Sequence, residues 1–258
     1  MLPHSSAIVP ILLWEPKAGH PIHVGSAVLL RIGTATVLLT AAHVTDLRQE
    51  GKLCIPSRRG VTDFAGSIGA NPLPPGLSRN QDPIDVGFLV PSEGSQCDLP
   101  SEYTPIAPAD VDLTNPVLPG EFCLVAGVPL SRNWAKHSGA EVTGSRLNFV
   151  GIAYPHATYA ARGYDPRTNI LIEYHLDKAI YPEGDRANPP SPRGMSGGGV
   201  FRLGRDAKGS PDSSRAELVG VMHKFVEREH MFVSTAIRAV LKLLLDSLPD
   251  EVRRRIGA

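Results

Sequence analysis

An all-β molecule built from two small antiparallel barrels, with one helix at its C-terminal end, is the architecture that this 258-residue sequence predicts. Three observations carry the expectation. Glycine and proline number 25 and 24 without a repeat period, so turns are frequent and long helices few. Short segments rich in Val, Ile, Leu and Thr recur on both sides of a proline-rich stretch. Helical periodicity appears mainly at the end, where Ile237, Leu241, Leu244 and Leu248 recur at spacings of four, three and four.

In chain order, segments 7–14, 23–32 and 34–42 read as consecutive strands joined by tight turns. Ile32-Gly33-Thr34-Ala35 sits between two apolar runs in a hairpin-like arrangement. Residues 56–82 are polar and turn-rich, which predicts a long surface excursion, and 85–90 then forms a short strand. Prolines 91, 100, 105, 108, 116 and 119 mark a connector between two halves. A second series of strands is expected at 121–127, 141–154, 170–176, 199–203, 217–226 and 231–234. Ser234 or Thr235 is expected to cap the final helix, with Pro249 kinking or ending it. The resulting division is a first barrel over 1–98, a linker over 99–120, a second barrel over 121–234 and a helix over 235–258.

Composition narrows the function classes. An apolar content of 42% with 20% charged residues fits a globular chain with a real core. The 26 basic and 26 acidic side chains balance, and no clustered basic footprint points to nucleic acid. Arg253-Arg254-Arg255 reads as favourable charge at a helix C-terminus. Cys54, Cys97 and Cys123 are odd in number, widely spaced and free of any C-x-x-C, which favours a reducing compartment over a disulfide framework. The N-terminal segment lacks a basic region, the apolar run over 7–14 is broken by Pro10, and no window is long enough to span a membrane. A cytoplasmic location is expected. His20 and His23 lack an accompanying ligand cluster and read as loop histidines, so neither metal nor cofactor is expected.

Three segments carry chemistry. Arg193-Gly194-Met195-Ser196-Gly197-Gly198-Gly199 sets one serine among glycines, Thr40-Ala41-Ala42-His43 offers an imidazole, and Asp82-Pro83-Ile84-Asp85-Val86-Gly87-Phe88-Leu89 leads an acid into an apolar strand. A serine hydroxyl needs a base to take its proton, and its attack needs backbone N–H groups to stabilise the resulting oxyanion. Glycines let the backbone turn sharply and leave room for a substrate carbonyl. Asp85 is preferred over Asp82, which lies farther from the apolar run beside Pro83 and reads as a turn residue. The same serine segment satisfies the G-x-S-x-G pattern of α/β-hydrolases. That fold needs alternating strands and helices, with the acid and histidine after the serine; only 62 residues follow Ser196, and the chain lacks helical periodicity before Ser234.

In the order His, Asp, Ser, these segments resemble the trypsin-like serine proteases of the chymotrypsin fold, over roughly residues 20–240. Gly25-Ser26-Ala27-Val28 through Thr40-Ala41-Ala42-His43-Val44 resembles the bacterial branch in particular. The resemblance implies two six-stranded antiparallel barrels with the site in the crevice between them. It implies Ser196 as nucleophile, His43 as general base and acid, Asp85 as the group that orients the imidazole, and the N–H groups of Gly194 and Ser196 as oxyanion hole. Peptide or protein would be the substrate, cut through an acyl-enzyme without a cofactor, and a regulatory or targeting partner would direct it. The other reading is a protease fold that binds without cutting.

Several positions depart from the digestive members of that family. Met195 stands where they carry an acid before the nucleophile, so activation through an N-terminal ion pair is not expected. Val44 follows the histidine where they place a bridging cysteine. Pro190 stands where the arginine- and lysine-cutting members have an aspartate, so specificity for basic residues does not carry over. Pro190, His223 and Phe225 are candidate substrate-binding residues. Glu227, Glu229 and His230 lie near the same wall and read as ordinary loop or edge residues.

Overall fold

In the computed structural model, which describes residues 4–16, 19–92, 99–130, 133–135, 142–174, 191–248 and Arg253, apolar runs become antiparallel ladders. Cys97 and Pro190 lie outside the described residues. The first seven strands are β1 (Ile8–Trp14), β2 (Pro21–Ile32), β3 (Ala35–Ala41), β4 (Lys52–Ser57), β5 (Gly60–Asp63), β6 (Gly66–Ala70) and β7 (Val86–Pro91). They form one curled sheet in the order β5-β4-β1-β2-β3-β7-β6. The strands after it are β8 (Phe122–Gly127), β9 (Asn133–Ala135), β10 (Val142–Gly144), β11 (Leu147–Ala153), β12 (Asn169–Glu173), β13 (Gly199–Arg205), β14 (Pro211–Val226) and β15 (Met231–Ala236). Six of these close a barrel in the order β11-β12-β15-β14-β13-β8, while β9 and β10 pair with each other.

The expected hairpin is present: Ile32 pairs with Ala35, and Gly33 takes a positive φ of 56° in the two-residue turn. Pro10 sits inside β1 without breaking the sheet. It pairs with Ser26 of β2, and β4 joins β1 only from Leu12 onward, so one side of Pro10 has no ladder to disrupt. The excursion expected over 56–82 instead contains the end of β4 and all of β5 and β6. β5 and β6 are short and glycine-containing and stand at the sheet's edges, so they carry little of the apolar signal that marks an inner strand.

Three α-helices are described: α1 (Ala42–Asp46), α2 (His156–Ala161) and α3 (Ile237–Ser247). The first two are too short to show a period in sequence. In α3 the buried face holds Ile237, Val240 and Leu244, continued by Leu248 just beyond it. Its N-cap is Ala236, without a side-chain cap, because Ser234 and Thr235 are buried in β15 rather than freed for capping. At the other end, Arg253 donates to the carbonyls of Leu248 and Asp246, which places one of the three terminal arginines where the helix leaves unpaired acceptors.

Two large cores hold the molecule, beside a small third cluster of Tyr159, Leu171, Met231 and Val233. One fills the second barrel with Val125, Phe149, Ile172, Met195, Val200 and Phe232. The other runs from the first sheet through the contact between sheets: Leu29, Leu39 and Phe88 share it with Leu124, Phe201 and Val221, and with α3. This shared core ties the two units together.

Candidate active site

His43 is placed by the change from strand to helix. β3 ends at Ala41, α1 begins one residue later, and the Ala42 N–H donates to the Asp85 carbonyl at 3.1 Å. That bond brings the start of α1 against the start of β7. The His43 backbone N–H then donates to Asp85 Oδ1 at 2.9 Å, and His43 Nδ1 lies 2.6 Å from Asp85 Oδ2. A carboxylate can only accept, so Nδ1 carries the proton and Nε2 keeps its lone pair. The Asp85 side chain is 6% exposed and that of His43 is 35% exposed, so the acid is sheltered and the imidazole reaches the cleft.

Asp85 itself sits at a φ of +34°, a region that aspartate tolerates better than most side chains. A dense set of bonds holds it there. Asp82 Oδ1 accepts the Ile84 N–H at 3.0 Å, and its Oδ2 accepts from Asn71 Nδ2 at 2.9 Å and Arg79 Nη1 at 2.7 Å. Burial by itself would raise the Asp82 pKa, but these donors hold it below the ordinary carboxylate range. Asn71 Oδ1 accepts the Val86 N–H at 2.9 Å. From the second barrel, Asn169 donates to the Pro83 carbonyl and Thr235 to the Ile84 carbonyl. Asp82 is thus a buried turn-holding residue and Asp85 the acid that meets the histidine.

The serine turn is anchored as tightly. Gly194 and Gly197 adopt φ values of +89° and +90°. A Cβ on Gly197 would lie 1.9 Å from the Ser26 carbonyl oxygen, and one on Gly198 would lie 2.2 Å from that of Ala126. Glycine is therefore required at both positions. The Gly197 N–H donates to the Met222 carbonyl at 2.6 Å and the Met222 N–H returns a bond to Gly198 at 2.8 Å. Ser26 is the hub between the two units. Its N–H donates to the Ser196 carbonyl at 2.7 Å, and its hydroxyl accepts the Val128 N–H at 2.9 Å and donates to the Gly194 carbonyl at 3.1 Å. Met195 is fully buried in the barrel core, so the residue before the serine is held by apolar packing.

The Arg193 carbonyl accepts the Leu130 N–H at 2.8 Å, which engages it away from the serine. Among the described residues, neither the Gly194 nor the Ser196 N–H has a backbone acceptor. Ser196 Oγ–H is directed to the His223 carbonyl at 3.3 Å, and no bond joins it to His43 Nε2 in this arrangement. Ser196, His43, Asp85 and Gly194 nevertheless line one cleft of about 490 Å³, together with Val24, Leu130, His223, Lys224, Phe225 and Glu227.

Of the other residues singled out in the sequence, His223 and Phe225 stand on the cleft wall, Phe225 against Phe232 with ring centroids 5.1 Å apart. Glu227 faces Arg193 at 3.9 Å across the cleft mouth, and Glu229 pairs with Arg162. His23 is a buried residue of β2 rather than a loop histidine, and its Nε2–H donates to the Gly25 carbonyl at 2.7 Å. Burial pushes its pKa down to about 4. Among the described residues no group of His, Cys, Asp or Glu is placed to hold a metal ion. Cys54 and Cys123 are free and buried, and burial lifts the Cys54 thiol to about 12, so neither supplies a reactive thiolate.

No protein-family model and no curated protein sequence matches the chain. Solved structures do. Neuropsin, a serine protease expressed in the limbic system of mouse brain, superposes with a TM-score of 0.59 at 13% identity, covering 96% of this chain and 97% of that one. Kallikrein-related peptidase 10 superposes with a TM-score of 0.54 at 14% identity, covering 94% and 95%. The fold is that of the trypsin-like serine proteases. Here the second unit closes as a six-stranded barrel, and the first is a seven-stranded curled sheet.

Sequence reasoning singled out His43, Asp85 and the serine turn from local context, and the structure brings them to one cleft. It missed Ser26, Asn71, Arg79, Asn169 and Thr235 as the residues that position them. Only the Asp82-to-Ile84 turn bond had a local signal, since an aspartate two residues before an N–H is a common turn former.

Proposed function

We propose that the protein is a serine endopeptidase that cuts peptide bonds through an acyl-enzyme on Ser196. The observation that carries the reading is the 2.6 Å contact between His43 Nδ1 and Asp85 Oδ2 at the edge of the cleft that also holds Ser196. With its proton on Nδ1, His43 presents Nε2 as a base. Rotation about the Ser196 Cα–Cβ bond turns Oγ–H from the His223 carbonyl toward that nitrogen. Oγ then attacks the scissile carbonyl carbon as its proton passes to Nε2. The oxyanion lies against the N–H groups of Gly194 and Ser196, and His43 returns the proton to the leaving amine. Water repeats the sequence to release the acid product. Asp85 keeps the imidazole in the required tautomer and balances its charge when protonated.

The substrate in this reading is peptide or protein, with Phe225 and His223 on the wall that receives it. A cytoplasmic location belongs to the same proposal, supported by the two buried free thiols. Among the described residues no helix is long and apolar enough to cross a membrane. The test is labelling by a fluorophosphonate probe together with cleavage of a peptide library. Wild type labels and cuts, and Ser196→Ala does neither, a loss on the order of 10⁶ in kcat. Labelling that persists in Ser196→Ala identifies another nucleophile, and a wild-type chain that neither labels nor cuts is a binding protein on a protease fold.

A further inference from the structure

Arginine and lysine side chains line the cleft at Arg79, Arg193 and Lys224, and the two arginines face acids. Arg79 binds Asp46 and Asp82, and Arg193 faces Glu227 at 3.9 Å. Lys224 is exposed and meets no carboxylate among the described residues, and no step of the mechanism above uses it. Its Nζ reaches from β14 of the second barrel to the first unit, where it donates to the Asn80 carbonyl at 3.1 Å. The lysine thus bridges the two walls of the cleft. It stands one residue along β14 from the His223 carbonyl that accepts the Ser196 hydroxyl.

The acceptor is held in place. Arg79–Gln81 form one 3-10 turn, closed by a reciprocal cap between Ser78 and Gln81 and tied down by the bonds of Arg79 to Asp46, Asn71 and Asp82. The Ser78 and Arg79 carbonyls accept the Gln81 and Asp82 N–H groups, so the Asn80 carbonyl is left without a partner inside the turn and takes the lysine. An ammonium carries three N–H donors, and this carbonyl uses one. No other acceptor meets Nζ among the described residues. On the wall below it, β13 pairs with β14 no farther than Val221, while β15 continues along the other edge to Val226. Beyond Met222, one edge of β14 is therefore open for an extended peptide to lie along. Asp82 and Asp85 also border the cleft, but both are buried and enclosed by donors, and Glu227 is engaged with Arg193. The charge that such a peptide meets beside Lys224 is positive.

We propose that Lys224 determines specificity: it makes the cleft prefer peptides with an aspartate or glutamate at one fixed position, within about four residues of the scissile bond at the spacing of an extended chain. The inference deepens the endopeptidase reading and rests on it for the bond that is cut. In the complex the substrate carboxylate accepts the spare N–H groups of Nζ, while the Asn80 carbonyl keeps its own. The ammonium is therefore already placed before the peptide arrives, which spares part of the ordering cost of a free lysine. The pair forms at an exposed head, so its worth is modest and salt screens it. A preference of roughly fivefold for glutamate over glutamine at that position is the expected size.

Cleavage of a peptide library by wild type, Lys224→Met and Lys224→Glu tests this, with the best peptide then remade in glutamate and glutamine forms. Wild type should enrich acidic residues at a single position, and its kcat/KM ratio for the two forms should fall from about five at low salt toward one in 1 M sodium chloride. Lys224→Met should bring the ratio to about one at either salt, and Lys224→Glu should turn the preference toward lysine and arginine at the same position. Each readout is a ratio within one variant, so a general loss of rate does not imitate the result. A wild-type profile without acidic enrichment overturns the proposal, as does enrichment that survives in Lys224→Met. If Lys224→Met does not fold, the salt dependence of the wild-type ratio decides. A wild-type chain that cuts no peptide defeats the endopeptidase reading, and Lys224 is then judged on binding. A displayed peptide library panned on Ser196→Ala should yield acidic peptides that the same chain carrying Lys224→Met does not retain. Recovery without acidic bias overturns the inference there too.

Discussion

Asp85 and His43 show how narrow the tolerance of a single side chain can be. Asp85→Asn keeps the shape of the carboxylate but offers an amide, so the imidazole is free to take the wrong tautomer. In the endopeptidase reading the expected outcome is a fall of about 10⁴ in kcat with the melting temperature close to wild type, read from steady-state kinetics and calorimetry. The two buried imidazoles make a second prediction. Burial holds His23 and His223 each near a pKa of about 4, against 6.5 when solvated. Between those values the unfolded chain binds protons that the native chain refuses. Stability is therefore complete above about pH 6.5 and falls as pH drops toward 4, by on the order of 3 kcal/mol for each ring over the whole interval. Urea unfolding at pH 7.5 and pH 5 should give a clearly lower midpoint at pH 5. Equal midpoints would mean that neither ring is buried in its neutral form.

The turn from Arg193 to Gly199 behaves as a unit because main-chain bonds, the hub residue Ser26 and the packed side chain of Met195 all anchor it. Gly197 illustrates the point: its φ of +90° disfavours any side chain, and the Ser26 carbonyl oxygen occupies the space that a Cβ would need. Gly197→Ala therefore forces the turn off β14 or off Ser26. We expect a loss of about 3 kcal/mol or more in stability and no measurable labelling of Ser196, checked by thermal melting and the fluorophosphonate probe. Retention of both would show that the turn relaxes more easily than its bonding implies. The α1 turn is the counterpart on the first sheet: one helical turn, unreadable as a helix, yet sufficient to redirect the chain so that His43 faces Asp85.

Neither unit of the molecule can build the site alone. The first sheet supplies His43 and Asp85, the second barrel supplies Ser196, and the turn carrying the acid is pinned from the second barrel by Asn169 and Thr235. In the endopeptidase reading, loosening those pins should disturb catalysis more than folding. Thr235→Val, with Asn169→Leu as the second substitution, is expected to lower kcat/KM ten- to a hundred-fold, roughly the cost of a small misplacement of a catalytic group. Most of the effect should fall on kcat, with the urea midpoint shifting little. Full activity in the double variant would show that the Asn71, Arg79 and Asp82 network holds the acid unaided.

Much of this was legible in the chain because it is written in neighbouring residues. Apolar runs and turn residues announce inner strands, Gly33 announces the first hairpin, and glycines around Ser196 announce a turn that no bulkier residue could make. The edge strands β5 and β6 escaped notice since half-exposed pairing demands little apolar side chain, and the expected caps Ser234 and Thr235 went instead into a strand whose ladder claimed them. The order His, Asp, Ser told which residues to compare, but their meeting depends on contacts between positions 42 and 111 residues apart. Local propensity carries no information about such distances. The preference for Asp85 over Asp82 was local, but the anchoring of the acid turn from the opposite barrel and the second imidazole near its carboxylate arise only when packing brings remote side chains within a few ångströms.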